Sequence, residues 1–118
     1  MEYEDELQNK TVFGYLREWQ SLIKELSEKE IALIEWKELY EIKADKILEN
    51  AKKQKQETGE DIIKTIYGGN NDKTRKKYVK DQLTEWDKNI FELELSIDWI
   101  NRRISFIKHY VKFMCKED

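Results

Sequence analysis

The chain has 118 residues, 40% charged and 39% hydrophobic, with four glycines and no proline. That length suffices for one domain, the scarcity of breakers excludes a turn-rich β sandwich or barrel, and the 12% aromatic content excludes a disordered chain. Twenty-five acidic against 22 basic residues leave a net charge of −3, too little for a DNA mimic or an indiscriminate nucleic-acid binder.

The first residues, Met1-Glu-Tyr-Glu-Asp-Glu6, are acidic and lack an apolar core, so no signal peptide is expected there. From Val12 an apolar seam runs at alternating steps of four and three through Leu16, Trp19, Ile23 and Leu26. It continues through Leu33, Tyr40, Ala44, Ile47 and Ala51, with Glu30 and Lys37 filling two of its positions. Such a heptad pattern predicts a long helix over residues 11–57. Gly59 suits its stop.

Residues 58–71 read as a connection. Ile62, Ile63, Ile66 and Tyr67 predict a short helix over 61–67 whose apolar side chains close the end of the core. Gly68-Gly69 then gives a turn, and Asn70 or Asn71 suits the cap of the next helix.

A second seam is unbroken: Val79, Leu83, Trp86, Ile90, Leu93, Ile97, Ile100, Ile104, Ile107, Val111 and Met114. It predicts one helix over residues 72–116. One antiparallel register matches both seams, setting Trp19 against Val111, Ile23 against Ile107, Ala44 against Trp86 and Ala51 against Val79, with Glu30 near Arg103. The expected fold is therefore all-α: a single helical domain over 1–118, a coiled-coil-like antiparallel two-helix hairpin with a short helix in its connection. The pairing holds either within one chain or between two.

Two helices alone leave apolar residues uncovered. Phe91, Leu95, Trp99, Phe106, Tyr110 and Phe113 form a stripe behind the second seam, and Ile31, Ile34, Trp36, Leu39 and Ile42 make the first helix apolar on most sides. A contiguous aromatic stripe along a long helix meets a partner. The expected partner is a second copy, in a dimer or larger helical bundle, with a heterologous host or phage protein as the competing occupant.

Catalytic signals are weak. His109, the one histidine, stands six residues before Cys115, the one cysteine, which is neither zinc-ligand spacing nor a nucleophilic pair. Pairs such as Glu25–Lys29 and Glu49–Lys53 are the ordinary solvated pattern of a helix surface. Gly68-Gly69 lacks the ending of a phosphate loop. No enzyme, metal or cofactor is expected. A lone cysteine cannot form an intramolecular disulfide, so nothing implies an oxidising compartment. With no apolar run near the ~18 residues of a membrane span, the expectation is a soluble intracellular protein without membrane contact.

Charge is distributed more tellingly than its total suggests. Between residues 50 and 80 stand nine basic side chains, Lys52, Lys53, Lys55, Lys64, Lys73, Arg75, Lys76, Lys77 and Lys80, against four acidic ones. Lys73, Arg75, Lys76 and Lys77 occupy the first turns of a helix, where the dipole disfavours cations. A broken local rule points to function. Lys52, Lys53, Lys55 and Lys80 join them as candidate contacts to nucleic acid or another anion.

Gly69-Asn-Asn-Asp-Lys-Thr-Arg-Lys-Lys-Tyr-Val79 carries a G-x-N-x-x-x-R element before a long heptad helix. Over residues 67–114 the chain thereby resembles small helical accessory proteins encoded by phages and prophages. Gly69, Asn71 and Arg75 match the element, while Asp72-Lys73-Thr74 replaces its usual acidic residues. The resemblance implies a non-enzymatic accessory in the cytoplasm of a bacterial host, among DNA replication and recombination functions. Two readings follow: a self-assembling protein whose basic tip meets nucleic acid or an acidic partner, or a small inhibitor that blocks a host protein, such as a defence enzyme, through its aromatic stripe.

Overall fold

The computed structural model describes residues 11–116, and among them every regular element is helical. In chain order these are α1, Val12–Thr58; α2, Ile62–Tyr67; α3, Asp72–Gln82; and α4, Thr84–Lys116. Among the described residues, no helix is long and apolar enough to cross a membrane. The acidic residues 2–6 lie outside the described residues.

Local chemistry sets each boundary. Thr11 opens α1, its hydroxyl accepting from the Gly14 N–H at 3.1 Å and its carbonyl from the Tyr15 N–H. Gly59 ends that helix at φ 75°, returning its N–H to the Lys55 carbonyl at 2.8 Å. A left-handed backbone there costs a side chain free energy that glycine avoids. Asp61 caps α2 by accepting from the Lys64 N–H at 3.1 Å. Gly68, at φ 80°, closes it. Asn71, not Asn70, caps α3 in a reciprocal box with Thr74: the Thr74 N–H donates to Asn71 Oδ1 at 3.0 Å, and the Asn71 N–H to Thr74 Oγ1 at 2.9 Å.

The second seam does not lie on one unbroken helix. Leu83, at φ −113° and ψ 33°, separates α3 from α4. Its own N–H still reaches the Val79 carbonyl at 3.0 Å, whereas the Thr84 hydroxyl donates to the Asp81 carbonyl at 3.1 Å. A threonine hydroxyl that takes a carbonyl of the preceding turn loosens the ladder and bends the helix. The apolar periodicity continues across the break, which is why the pattern alone reads as a single helix.

The described residues fold into two compact units, one built from residues 11–32 and 93–116, the other from residues 33–92. In the first unit the buried core is Tyr15, Leu22, Ile100, Ile104 and Ile107, with Trp19, Leu26, Phe106, Tyr110 and Val111 packed around it. Here α1 turns a different edge inward from the one expected. Tyr15 and Leu22 are buried while Ile23 is exposed. Aromatic contacts decide this rotation, because the Tyr15 ring lies 4.3 Å from that of Tyr110 and 6.1 Å, edge-on, from that of Phe106. Phe106 and Tyr110, expected on the outer stripe, are therefore part of this unit's interior. Arg103 pairs with Glu18 rather than Glu30, through Nε–Oε2 at 2.8 Å and a second bond at 3.0 Å. Its guanidinium also lies 5.0 Å from the Phe106 ring centre, so the fork and the ring fix it together.

The second unit packs around Ala51, Ile63 and Tyr78, with Ile47, Leu48, Ile62 and Tyr67 against them. Ala51 thus meets α3 within one residue of the expected Val79. Farther from the corner Trp86 meets Trp36, ring centres 4.6 Å apart, with Lys43 Nζ 4.9 Å above it. Trp36, expected at a partner interface, is consequently half-covered within the unit. Ile66, expected to close the core, remains exposed.

Candidate functional site

The lysine-rich corner lies entirely in the second unit and is braced by a small polar network. Asp61 is its hub. Besides capping α2, its carboxylate accepts from the Asn70 amide at 3.0 and 3.2 Å and pairs with Lys55 at 3.6 Å. The Asn70 amide, then the Lys64 N–H, hold its carboxyl below the usual carboxylate range, with Lys55 adding to them. The carbonyl oxygen of the Asn70 amide, Oδ1, in turn accepts from Arg75 at 2.9 Å, and the other guanidinium nitrogen meets Asp72 at 2.6 Å. The residues of the G-x-N-x-x-x-R element therefore have structural work. Asn71 starts α3, and Arg75 ties that start to the preceding loop.

Two clefts flank Arg75. The first, about 660 Å³, is lined by Lys52, Lys55, Asp61, Asn70 and Arg75, with Ala51 and Ile63 among its apolar walls. The second, about 440 Å³, has an apolar floor of Tyr40, Ala44, Leu48 and Val79 and a rim of Asp72, Arg75, Lys76 and Lys80. Burial first, then the neighbouring Asp87 carboxylate, raises the pKa of Tyr40, so the phenol stays neutral.

The predicted basic residues are not equivalent. Lys55 and Arg75 are matched by carboxylates. Lys77 Nζ lies 5.5 Å from the centre of the Tyr67 ring, and Tyr67 donates to Asp81, which pushes its pKa up to about 12. Lys52 opens on the first cleft, and Lys76 and Lys80 on the second. Lys53 and Lys73 line neither and are exposed. At positions i, i+3, i+4 and i+7, Lys73, Lys76, Lys77 and Lys80 share one face of α3, and all four are exposed.

The apolar candidates divide in the same way. In the first unit Leu95, Trp99 and Phe113 stand open to solvent, Trp99 at 61% exposure, together with Ile31. In the second unit Phe91, Leu39, Ile34 and Ile42 do so.

One surface escapes the heptad reading. Between residues 34 and 49, Ile34, Glu35, Glu38, Glu41, Ile42, Asp45 and Glu49 are all exposed. At about 100° per residue they fall within roughly 120° of arc on α1. Lys37, Lys43 and Lys46 fall outside it. The signal was present as carboxylates recurring at three and four residues around two isoleucines, but any pattern tuned to apolar seams passes over it.

His109 and Cys115 are both exposed on α4. Set against models of protein families, curated proteins and solved structures, the chain matches none, so its own residues are the ground for a functional reading.

Proposed function

We propose that this chain is a non-enzymatic helical accessory protein of the phage-encoded kind that acts by self-assembly, its lysine-rich corner meeting nucleic acid or an acidic partner. The observation that carries the reading is the set of large apolar side chains in solvent in each unit: Leu95, Trp99 and Phe113 in the first, Ile34, Ile42 and Phe91 in the second. Single exposed apolar residues are normal, whereas repeated ones along helices already packed on another side mark an association surface. The lysine face of α3 supplies the complementary polar element, because charge selects partners and speeds encounter more than it adds affinity.

Sedimentation velocity across ~1–100 µM protein tests the assembly directly, and an electrophoretic shift with duplex and single-stranded DNA tests the corner. A concentration-dependent oligomer weakened by Leu95→Ser with Trp99→Ser supports the reading. A monomer throughout that range, with no DNA shift at low salt, overturns it. One observation favours a second reading. Trp99, among the most exposed apolar side chains, is of the residue type enriched at binding hot spots, which suits a small inhibitor that blocks a host protein. A monomer that loses a defined host target on Trp99→Ser is the result that reading requires.

A further inference from the structure

The lysine face of α3 and the acidic face of α1 have opposite charge, lie in the same unit and do not satisfy each other. Lys73, Lys76 and Lys80 make no ion pair among the described residues, and neither do Glu38, Glu41 and Asp45. Both faces are exposed. Each also carries an apolar element that solvent covers poorly. On the acidic face these are Ile34 and Ile42, at 58% and 52% exposure. Beside the lysines it is the floor of the second cleft.

Deepening the assembly reading, on which it rests, we infer that these two faces are the halves of an isologous dimer interface. The outer face of α1 in one copy seats on the lysine face of α3 in the other, and symmetry repeats the contact. An interface of this type requires a surface that carries both complementary halves, and residues 33–92 supply both. The spacings agree. Glu38, Glu41 and Asp45 recur at three and four residues, as Lys73, Lys76 and Lys80 do, so one register sets three carboxylates beside three ammonium groups. Ile34 and Ile42 then face the floor formed by Tyr40, Ala44, Leu48 and Val79. In this arrangement each α1 contacts the α3 of its partner rather than its α1, which keeps the two acidic faces apart. A nucleic-acid backbone accounts for the lysines but leaves Ile34, Ile42 and the apolar floor in water. A second copy covers all of them.

Complementary charge reversal tests the pairing. One variant carries Lys73→Glu, Lys76→Glu and Lys80→Glu, and the other Glu38→Lys, Glu41→Lys and Asp45→Lys. Lys77 is kept because it lies over the Tyr67 ring. Far-UV circular dichroism checks that each remains helical, and sedimentation velocity reads the mass. The expected result is a dimeric native protein, a dimer dissociation constant raised roughly 100-fold in each variant alone, and recovery of the dimer when the two are mixed one to one. Recovery also shows that both variants are folded. Loss of the dimer in either variant without recovery on mixing overturns the inference. So does a dissociation constant moved less than about threefold while the dimer still yields to Leu95→Ser with Trp99→Ser, a result that leaves the assembly reading standing. Loss of DNA binding from the lysine variant with the dimer intact assigns that face to nucleic acid instead and likewise overturns it. A native chain that stays monomeric removes both readings together.

Discussion

Tyr67 shows how much one side chain organises in this corner. Its ring packs beside the cluster of Ala51, Ile63 and Tyr78, its face meets Lys77, and its hydroxyl donates to Asp81. Ionising that hydroxyl would set two anions together, so the folded protein holds the proton more tightly than the unfolded chain does, with a pKa raised from 10.0 to about 12. The sign follows from linkage. The contribution is fully present below the unfolded value and disappears as pH rises through the folded one. Denaturation midpoints at about pH 9 and about pH 11.5 should therefore fall more in the native protein than in Tyr67→Phe. Lysine titration is common to both proteins and cancels in the comparison. Asp61 works in the opposite direction: its lowered pKa adds stability above the ordinary carboxylate value, which is lost as acid protonates it.

At the level of elements, all boundaries but the one at Leu83 were legible because they rest on local chemistry. Thr11, Gly59, Asp61, Gly68 and Asn71 act through backbone groups a few residues away, and such signals survive in sequence. Replacing Asn71 by Ala removes the acceptor for the Thr74 N–H and half of the reciprocal box. It should lower the unfolding free energy by about 1 kcal/mol, measured by urea denaturation. The long-range register was less legible. Tyr15 and Leu22 compete with Leu16 and Ile23 for the inward edge of α1, and both sets have helical spacing. The choice is made by rings on α4 that lie about ninety positions away in sequence, Phe106 and Tyr110. Likewise, no periodicity shows that Trp36 and Trp86 will meet ring to ring, or that Thr84 will interrupt the second seam. At the corner, the basic residues were visible as a composition. Their separate roles were not, since Arg75 is tied into the loop by Asn70 and Asp72 while Lys73, Lys76 and Lys80 are left to face outward.

For the molecule as a whole, the division into units carries a consequence in time. Residues 33–92 form one unit from a continuous stretch, whereas the other joins two segments distant in sequence, 11–32 and 93–116. Ala51 and Tyr78, in the first of these, are near neighbours in sequence, but Glu18 and Arg103 are separated by 85 positions. Closing the longer loop directly costs about 1 kcal/mol more in chain entropy, a penalty that vanishes once the intervening stretch has already folded back on itself. Order of formation is thereby built into connectivity: the corner first, the joined segments second. Pulse-labelled hydrogen exchange during refolding should find amides of Ile47, Ala51 and Tyr78 protected before those of Leu22 and Ile104, and simultaneous protection would show a single cooperative step.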